Sequence, residues 1–258
     1  MITLDAYLPQ GALCAADRVL AASLADNGAL WWAGSGLVAD VTGAVTGWRA
    51  DPFGPVAVPT TPNTGNGQIG EAGDLTGLLC RDGMHCGLVA QDVAPDAGRM
   101  TLAARYLPPW GAEAKTILTL NTGGEAKKRE GENYLYLSEG EGRITVKDDA
   151  GLIEAHLPAP SQDAPRLVLV TLMGARLSVA LLGGPEVTAT APGPVLSGKG
   201  HLFIGCRNQR PGLTKTLGGA LIADIWAWPG RALLGGDAPE ERAALLAMRR
   251  FWLWADDA

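Results

Sequence analysis

Two alternating segments near the C-terminal end constrain the fold of this 258-residue chain most strongly. Residues 201–206 and 220–228 are predicted strands joined by a polar connection. In the second segment Leu221, Ala223 and Ile225 should share one face, while the residues between them face the other way. This period of two residues is typical of a β-strand. We therefore expect the two segments to form a strand pair at the centre of a β-sandwich.

Glycine and proline separate most other segments into short strands. The 35 glycines and 17 prolines are spread along the chain in ones and twos, as many turns require. Residues 167–172 are nearly all apolar, which is typical of a strand covered on both faces, and we expect them beside residues 220–228 in one sheet. Residues 51–74 show almost no periodicity and are predicted to be a long loop. The predicted fold class is all-β.

Helical patterns occur at the two ends of the chain. Residues 12–25 are rich in alanine and leucine and predict a short N-terminal helix. We expect the segment 1–28 to dock onto a partner or a symmetry mate. The remaining residues, 29–258, are predicted to form one sandwich with an amphipathic C-terminal helix over 237–254. The stripe that should pack on the sandwich contains Leu245, Leu246, Met248, Phe251, Trp252 and Trp254.

Charge and hydropathy exclude several classes of function. A formal net charge of −6 and a pI near 5.1 argue against binding nucleic acid or an anionic membrane. No apolar run approaches the roughly 18 residues of a membrane span, so we expect no membrane insertion. The first residues lack the charged and apolar regions of a secretory signal. We therefore expect a chain made in the cytoplasm.

The four cysteines are expected to be free and buried, because no secretory signal accompanies them. The alternative is a disulfide, for which Cys80 and Cys86 are the best candidates. Together with His85 these two cysteines resemble zinc ligands only loosely, since a structural zinc site needs four ligands. We predict no bound metal or other cofactor from these residues.

Glycoside hydrolysis would require two carboxylates on opposite sides of the scissile bond. The acidic clusters are Glu139 with Glu141 and Asp148 with Asp149, and both lie at strand ends or in turns. Glu139 and Glu141 flank a glycine where a hairpin should reverse, so we expect them to face water. We predict no catalytic residue and expect that the protein is not an enzyme.

The order of elements resembles the concanavalin A-like lectin and glucanase jelly rolls, in their laminin G-like form. The strand with tryptophans near the start, the central hairpins and the late strand followed by a helix carry the resemblance; these segments are residues 29–33, 45–51, 100–107, 115–121, 133–148, 166–184, 201–206 and 218–230. The glucanase motif E-x-D-x-x-E does not occur, so the resemblance implies binding rather than hydrolysis. Calcium, which many such lectins bind, is possible.

The resemblance implies a non-catalytic carbohydrate-binding protein that recognises surface polysaccharide. Sugar recognition needs an aromatic face and hydrogen-bonding side chains, and the candidates are Trp110, Asn121, Asn133, Tyr134, Tyr136, Arg207, Asn208 and Arg210. Tyr134 and Tyr136 could equally belong to the core. Two alternatives stay open, namely a structural docking module without glycan binding and a glycoside hydrolase with an unrecognised site.

The sequence is also similar to spike or fibre components of phage-like particles, including gene transfer agents. That resemblance implies an adhesion part of a released virus-like particle. Its partners would be other structural proteins of the assembly, and the chain itself would form a homo-oligomer.

Overall fold

The computed structural model describes residues 24, 26–51, 54–109, 111, 113–123, 131–160, 164–209 and 218–255. Among these residues, seventeen strands and one long helix form the fold. The strands are β1 (Leu30–Ala33), β2 (Leu37–Ala39), β3 (Val45–Trp48), β4 (Val58–Pro59), β5 (Gln68–Ala72), β6 (Leu75–Cys80), β7 (Leu88–Ala94), β8 (Arg99–Leu107), β9 (Lys115–Asn121), β10 (Tyr134–Gly140), β11 (Arg143–Asp148), β12 (Glu154–Pro158), β13 (Arg166–Met173), β14 (Arg176–Leu181), β15 (Glu186–Thr190), β16 (Gly200–Ile204) and β17 (Ala220–Pro229). The helix is α1 (Pro239–Ala255).

Two large antiparallel sheets contain nearly all of the strands. The eight-stranded sheet has the order β15-β14-β13-β8-β17-β6-β5, and β1 also pairs with β17. The seven-stranded sheet has the order β12-β11-β10-β9-β16-β7-β4. The short strands β2 and β3 pair with each other in a separate hairpin. The all-β prediction is therefore confirmed.

The main hydrophobic core lies between the two sheets. Leu118 and Leu202 point into it from the seven-stranded sheet, and Val168 and Ile222 point into it from the eight-stranded sheet. Alternation then places every second side chain on an outer face, which needs its own cover or must face water. Other elements pack on the outer face of the eight-stranded sheet, whereas part of the outer face of the seven-stranded sheet is exposed. The candidate site lies on that exposed part.

The predicted pairing of residues 201–206 with 220–228 is wrong. The first segment forms β16 in the seven-stranded sheet, and the second forms β17 in the eight-stranded sheet. The connection between them crosses from one sheet to the other, which alternation within each strand does not reveal. The predicted neighbours β13 and β17 do lie in one sheet, but β8 runs between them and pairs with both.

An irregularity in β17 also changes which residues share a face. The register of β17 against β8 shifts between Ile222 and Asp224, as a β-bulge does. Ile225 therefore lies in the core with Ile222, whereas it was predicted to share a face with Leu221, which lies on the outer side of the sheet. One extra residue reverses the alternation for the rest of the strand.

Helix α1 covers the outer face of the eight-stranded sheet. Met248 and Phe251 are buried against Trp226, Trp228 and Leu167, and the rings of Trp226 and Phe251 meet edge to face at 5.2 Å. Cover on both faces explains why residues 167–172 are almost entirely apolar, as predicted. The predicted C-terminal helix is present, although Leu246 is 49% exposed and does not belong to the packing stripe.

One predicted segment lies almost entirely outside the described residues, and another turns out differently. The N-terminal helix over 12–25 falls almost entirely outside them. The predicted long loop over 51–74 contains β4 and β5, which are the edge strands of the two sheets. Short edge strands bury few side chains and so show little periodicity.

Cys80 and Cys86 form a disulfide, with their Cα atoms 5.4 Å apart. The expectation of free thiols is therefore wrong for this pair, and the alternative prediction of a disulfide between them is confirmed. Cys206 is a buried free thiol, as expected, and burial raises its pKa. Cys14 lies outside the described residues.

A buried cluster links the two sheets and corrects the placement of Glu139. This residue is 3% exposed rather than facing water, because its side chain points inward from β10. Tyr106 Oη on β8 donates to Glu139 Oε2 at 2.7 Å. Arg166 on β13 donates to Glu139 Oε1 through Nε at 3.2 Å and Nη2 at 3.1 Å. The carboxylate thus joins strands of opposite sheets.

Asp224 makes stability depend on pH. Burial raises the pKa of Asp224 from 3.8 to about 6, although Arg105 and the indole of Trp31 favour its charged form. Because the pKa of Asp224 is higher in the folded protein than in the unfolded chain, the protonated side chain stabilises the fold fully at pH values below 3.8. This stabilisation is lost as the pH rises through about 6. We expect the free energy of unfolding of the native protein, relative to that of Asp224→Asn, to fall by about 2–3 kcal/mol between pH 4 and pH 7. Urea titrations across this range test the expectation, and a constant difference would contradict it.

Candidate functional site: the open face of the seven-stranded sheet

The outer face of the seven-stranded sheet is covered over one part and open over another. Thr119 and Phe203 point outward from β9 and β16, yet both are fully buried. The segment 205–209 runs over them, and Thr119 Oγ1 donates to the carbonyl oxygen of Cys206 at 3.0 Å. On β11 and β12 the outward side chains are instead exposed or half-buried. The open part of the face therefore lies over β11 and β12 and borders β10, whose outward Tyr136 and Ser138 are buried.

A groove of about 360 Å³ lies on this open face, and we refer to it as the β10–β12 groove. Strands β10, β11 and β12 form its floor, while the residues just before β9 and Arg207 form its sides. Its lining residues are Glu113, Ala114, Tyr136, Ser138, Gly140, Glu141, Arg143, Thr145, Lys147, Glu154, His156 and Arg207. Most of them are polar or charged.

Strand register arranges the floor in rows across the sheet. Tyr136 on β10 lies opposite Lys147 on β11, which lies opposite Glu154 on β12. In the next row, Ser138, Thr145 and His156 are opposite one another, in the same strand order. Residues opposite each other on one face have Cβ atoms about 5 Å apart. The floor therefore presents adjacent hydroxyl, imidazole, ammonium and carboxylate groups.

Strand β11 supplies the floor because its sequence alternates strictly. Ile144 and Val146 point into the core, while Arg143, Thr145 and Lys147 point outward. The turn that precedes it requires positive φ at Glu141 (55°) and Gly142 (71°), as a two-residue hairpin of type I′ does. This tight turn fixes the register of β10 and β11 and so the position of each polar row.

His156 is held by neighbours on either side. Thr145 Oγ1 and His156 Nδ1 are 3.1 Å apart, and His156 Nε2 lies 3.3 Å from Glu154 Oε1. The imidazole therefore links a hydroxyl on β11 to a carboxylate on its own strand. These contacts orient the ring at the edge of the groove, where its side chain is 40% exposed.

Arg207 forms one side of the groove by stacking on Tyr136. The guanidinium carbon lies 3.6 Å from the centre of the Tyr136 ring, and Arg207 Nε donates to Thr116 Oγ1 at 3.0 Å. Asn121 Nδ2 donates to the carbonyl oxygen of Arg207 at 3.1 Å and fixes the backbone there. One face of Tyr136 is thus occupied by a cation rather than free for a sugar ring.

Two cations of the groove have no partner among the described residues. The side chains of Arg143 and Lys147 make no hydrogen bond or ion pair there, and both lie on the outward face of β11. They are four residues apart, which corresponds to about 13 Å along a strand. Because they are unpaired, these two groups can contact a polar ligand without first giving up a protein contact.

The eight predicted site residues do not form a single site. Tyr134, Tyr136, Asn121 and Arg207 come together on the outer face of the seven-stranded sheet. Asn208 follows Arg207 in the same segment and is half-buried. Trp110 and Arg210 lie outside the described residues.

Asn133 and Tyr134 have contacts that are structural. Asn133 is buried, and its Nδ2 donates to Asp148 Oδ2 at 2.9 Å and to the carbonyl oxygen of Val195 at 3.1 Å. Tyr134 Oη donates to Asp149 Oδ1 at 2.7 Å, and burial together with this carboxylate raises the pKa of Tyr134. Neither side chain lines the β10–β12 groove.

Most residues of the groove floor were not among the predicted site residues. These are Arg143, Thr145, Lys147, Glu154 and His156. The signal was present, because polar outward positions on two consecutive strands of one hairpin must lie side by side. Their common exposure could not be foreseen, since the same strand pattern on β9 and β16 is covered by residues 205–209.

The described residues contain neither a metal-binding cluster nor a membrane-spanning helix. No group of three or more histidine, cysteine, aspartate or glutamate side chains among them is arranged to hold a metal ion. Calcium binding stays a prediction. No helix in the same part of the chain combines the length and the hydropathy that crossing a bilayer requires.

Solved structures with the same fold include sialidases. No protein-family model and no curated protein sequence matches the chain. A sialidase of Trypanosoma rangeli is similar over 86% of this chain and 32% of its own, with 14% identity and a TM-score of 0.57. Mouse laminin α1 domains LG4-5 show a weaker likeness, with 17% identity over 60% of this chain and 40% of theirs and a TM-score of 0.42. A Caenorhabditis elegans galectin shows 11% identity over 63% of this chain and 95% of its own, with a TM-score of 0.35.

The expectation that the protein is not an enzyme is overturned by the sialidase likeness. It rested on the position of the acidic clusters and on the missing glucanase motif, whereas the same sandwich occurs within enzymes. The chain spans about a third of the length of those sialidases. At 14% identity the likeness concerns the fold alone, so it assigns neither activity nor substrate. The chain has the concanavalin A-like jelly-roll fold, with two antiparallel sheets and a C-terminal helix.

Proposed function

We propose that the protein binds carbohydrate in the β10–β12 groove. The observation that carries this proposal is the polar lining of a groove of about 360 Å³ on the open part of a sheet face. That volume is in the range of ligand sites, which hold most of a small ligand's surface. The ligand we propose is a segment of surface polysaccharide.

The chemistry of the lining favours a hydroxyl-rich ligand over an apolar one. Sites for apolar ligands are lined mostly by hydrophobic and aromatic side chains. Here the floor presents Thr145, Lys147 and His156, and the sides present Glu113 and Arg207. Carbohydrate hydroxyls both donate and accept hydrogen bonds, so they can satisfy carboxylates and cations in one site.

Recognition would depend on hydrogen bonds more than on aromatic stacking. One face of the Tyr136 ring is covered by Arg207, and Tyr136 is only 5% exposed. A ligand that entered the groove would therefore meet Arg207 and the unpaired Lys147 first. Hydrogen bonds to charged groups contribute about 1.5–3 kcal/mol each.

We expect Lys147→Ala to weaken glycan binding about tenfold or more, because it removes an unpaired ammonium from the groove floor. The matched control is Lys199→Ala, since Lys199 is also on the surface, outside the groove, and pairs with Asp92 at 3.5 Å. A glycan array identifies the ligand, and isothermal titration calorimetry with that glycan compares the variants.

Equal losses in the two variants would contradict a site in this groove. An array without any bound glycan, with the protein correctly folded, would contradict carbohydrate binding altogether. In that case a structural docking role, the first of the two alternatives from the sequence, would be favoured.

Hydrolysis of the bound glycan is the second candidate function. Three carboxylates, Glu113, Glu141 and Glu154, line the same groove, and glycoside hydrolysis uses a pair of them. The test is the release of reducing ends from the glycan that the array identifies. Loss of that release in Glu154→Gln, with binding retained, would support catalysis, and no release by the native protein would exclude it for that glycan.

The role of a spike or fibre in a phage-like particle stays a prediction. Neither the contacts of the described residues nor the similar structures bear on it. The same is true of the predicted homo-oligomer and of residues 1–28 as a docking segment.

A further inference from the structure

The solvent-exposed face of α1 combines arginines with leucines. Arg242, Leu246, Arg249, Arg250 and Leu253 are all exposed, and they fall within an arc of about 100° at 3.6 residues per turn. Leu246 is 49% and Leu253 is 62% exposed. We call this surface, defined by these five residues, the Arg/Leu face.

The Arg/Leu face is separate from the packing of α1 on the sandwich. The opposite side of the helix buries Ala244, Met248 and Phe251 against the eight-stranded sheet. Because that side already anchors the helix, the exposed leucines are not needed for its stability. They lie one heptad apart, about 10 Å along the helix.

The three arginines of this face have no partner within the described residues. None of their side chains makes an ion pair or hydrogen bond there. Glu241 lies in the first turn, where it accepts hydrogen bonds from Arg99 Nη2 at 2.6 Å and from the Ala232 amide at 2.7 Å. It is therefore not available to neutralise the arginines, and Asp256 and Asp257 lie outside the described residues. A concentrated positive charge thus sits on a protein whose net charge is −6.

We propose that the Arg/Leu face docks an acidic partner protein that presents an apolar groove. Leu246 and Leu253 would enter the groove, and Arg249 and Arg250 would contact carboxylates along its edges. Leu246 and Leu253 occupy the i and i+7 positions of the anchor pattern that helix-in-groove recognition uses, while Arg249 and Arg250 occupy i+3 and i+4. Arginine suits such an edge because its guanidinium binds a carboxylate through two hydrogen bonds.

The charges of this face and of the whole protein argue against two other binding partners. A second copy of the same face would bring two sets of three arginines together, and like charges in an interface cost several kcal/mol. An anionic membrane would repel the rest of this acidic protein, and two leucines offer little apolar area for insertion. An acidic protein surface with an apolar groove would pair with the arginines and would also bury the two leucines.

The test uses the full chain and a synthetic two-helix peptide whose helices form a leucine-lined groove edged by glutamates. Fluorescence anisotropy at about 0.15 M salt keeps nonspecific attraction low. We expect Arg249→Glu/Arg250→Glu to weaken binding at least about tenfold, and Leu253→Asp to do the same. The matched control Arg49→Glu/Arg81→Glu makes the same charge change on exposed residues outside α1 and should bind within about twofold of the native protein.

Three outcomes would overturn the proposal. The first is equal weakening by the control, which would show attraction by net charge alone. The second is unchanged binding when glutamines replace the glutamates of the peptide. The third is binding to phosphatidylserine vesicles with none to the peptide, which would identify a lipid surface instead. Circular dichroism of each variant confirms that the fold is retained.

Discussion

Arg166→Met should lower the free energy of unfolding by about 3–5 kcal/mol, because it leaves the buried carboxylate of Glu139 without its cation. Arg166 is fully buried, and its guanidinium also donates to the carbonyl oxygens of Pro160 and Ala164. Removing it therefore leaves both a charge and two backbone acceptors unsatisfied. Urea unfolding followed by tryptophan fluorescence measures the loss.

A double variant separates the charge from the packing. Arg166→Met/Glu139→Gln removes both charges and keeps an acceptor for Tyr106 Oη, so we expect it to recover about half of the loss or more. If the double variant were less stable than Arg166→Met, the buried charge would not be the cause. The cluster would then act through shape alone.

Trp226→Ala should be about as damaging, with a loss of about 3–5 kcal/mol. Trp226 is fully buried and joins three elements. Its ring stacks on Trp31 of β1, with centroids 5.8 Å apart and planes within 8°, and it meets Phe251 of α1 edge to face. Its removal should therefore loosen β1 and α1 together, which hydrogen exchange of both elements would detect.

The milder change Trp226→Phe is a control that tests the contribution of the indole N–H group. Trp226 Nε1 is buried and has no hydrogen-bond partner among the described residues, so replacing the indole by a phenyl ring removes an unsatisfied group. In contrast, Trp32 Nε1 donates to the carbonyl oxygen of Pro55 at 3.1 Å. We expect Trp32→Phe to cost more than Trp226→Phe, and the opposite order would contradict this account of the indole.

Local patterns predicted the strands better than their arrangement. The hairpins formed by β10 with β11, by β11 with β12 and by β13 with β14 follow from alternation and glycine turns, because neighbouring strands in sequence pair through short connections. The division of β16 and β17 between two sheets does not follow from such patterns. It depends on a crossing connection, and each strand alternates in the same way in either sheet.

The site could be predicted only in part, for reasons that differ between residues. Tyr136 and Arg207 were chosen as candidates by residue type, and the fold brings them together across residues distant in sequence. Glu139 was expected to face water, although its position in β10 points it into the core, where Arg166 holds it. The bulge that realigns β10 against β9 between Leu137 and Ser138 is not visible in the sequence.

Chemical shift mapping of the isotope-labelled protein during titration with an array-identified glycan tests the proposed binding face most directly. We predict that the largest amide shifts occur in β10, β11 and β12, at residues 136–147 and 154–156, with little change around α1. Shifts concentrated on the helix-covered eight-stranded sheet, or none in β10–β12 at saturating glycan, would contradict the assignment of the groove.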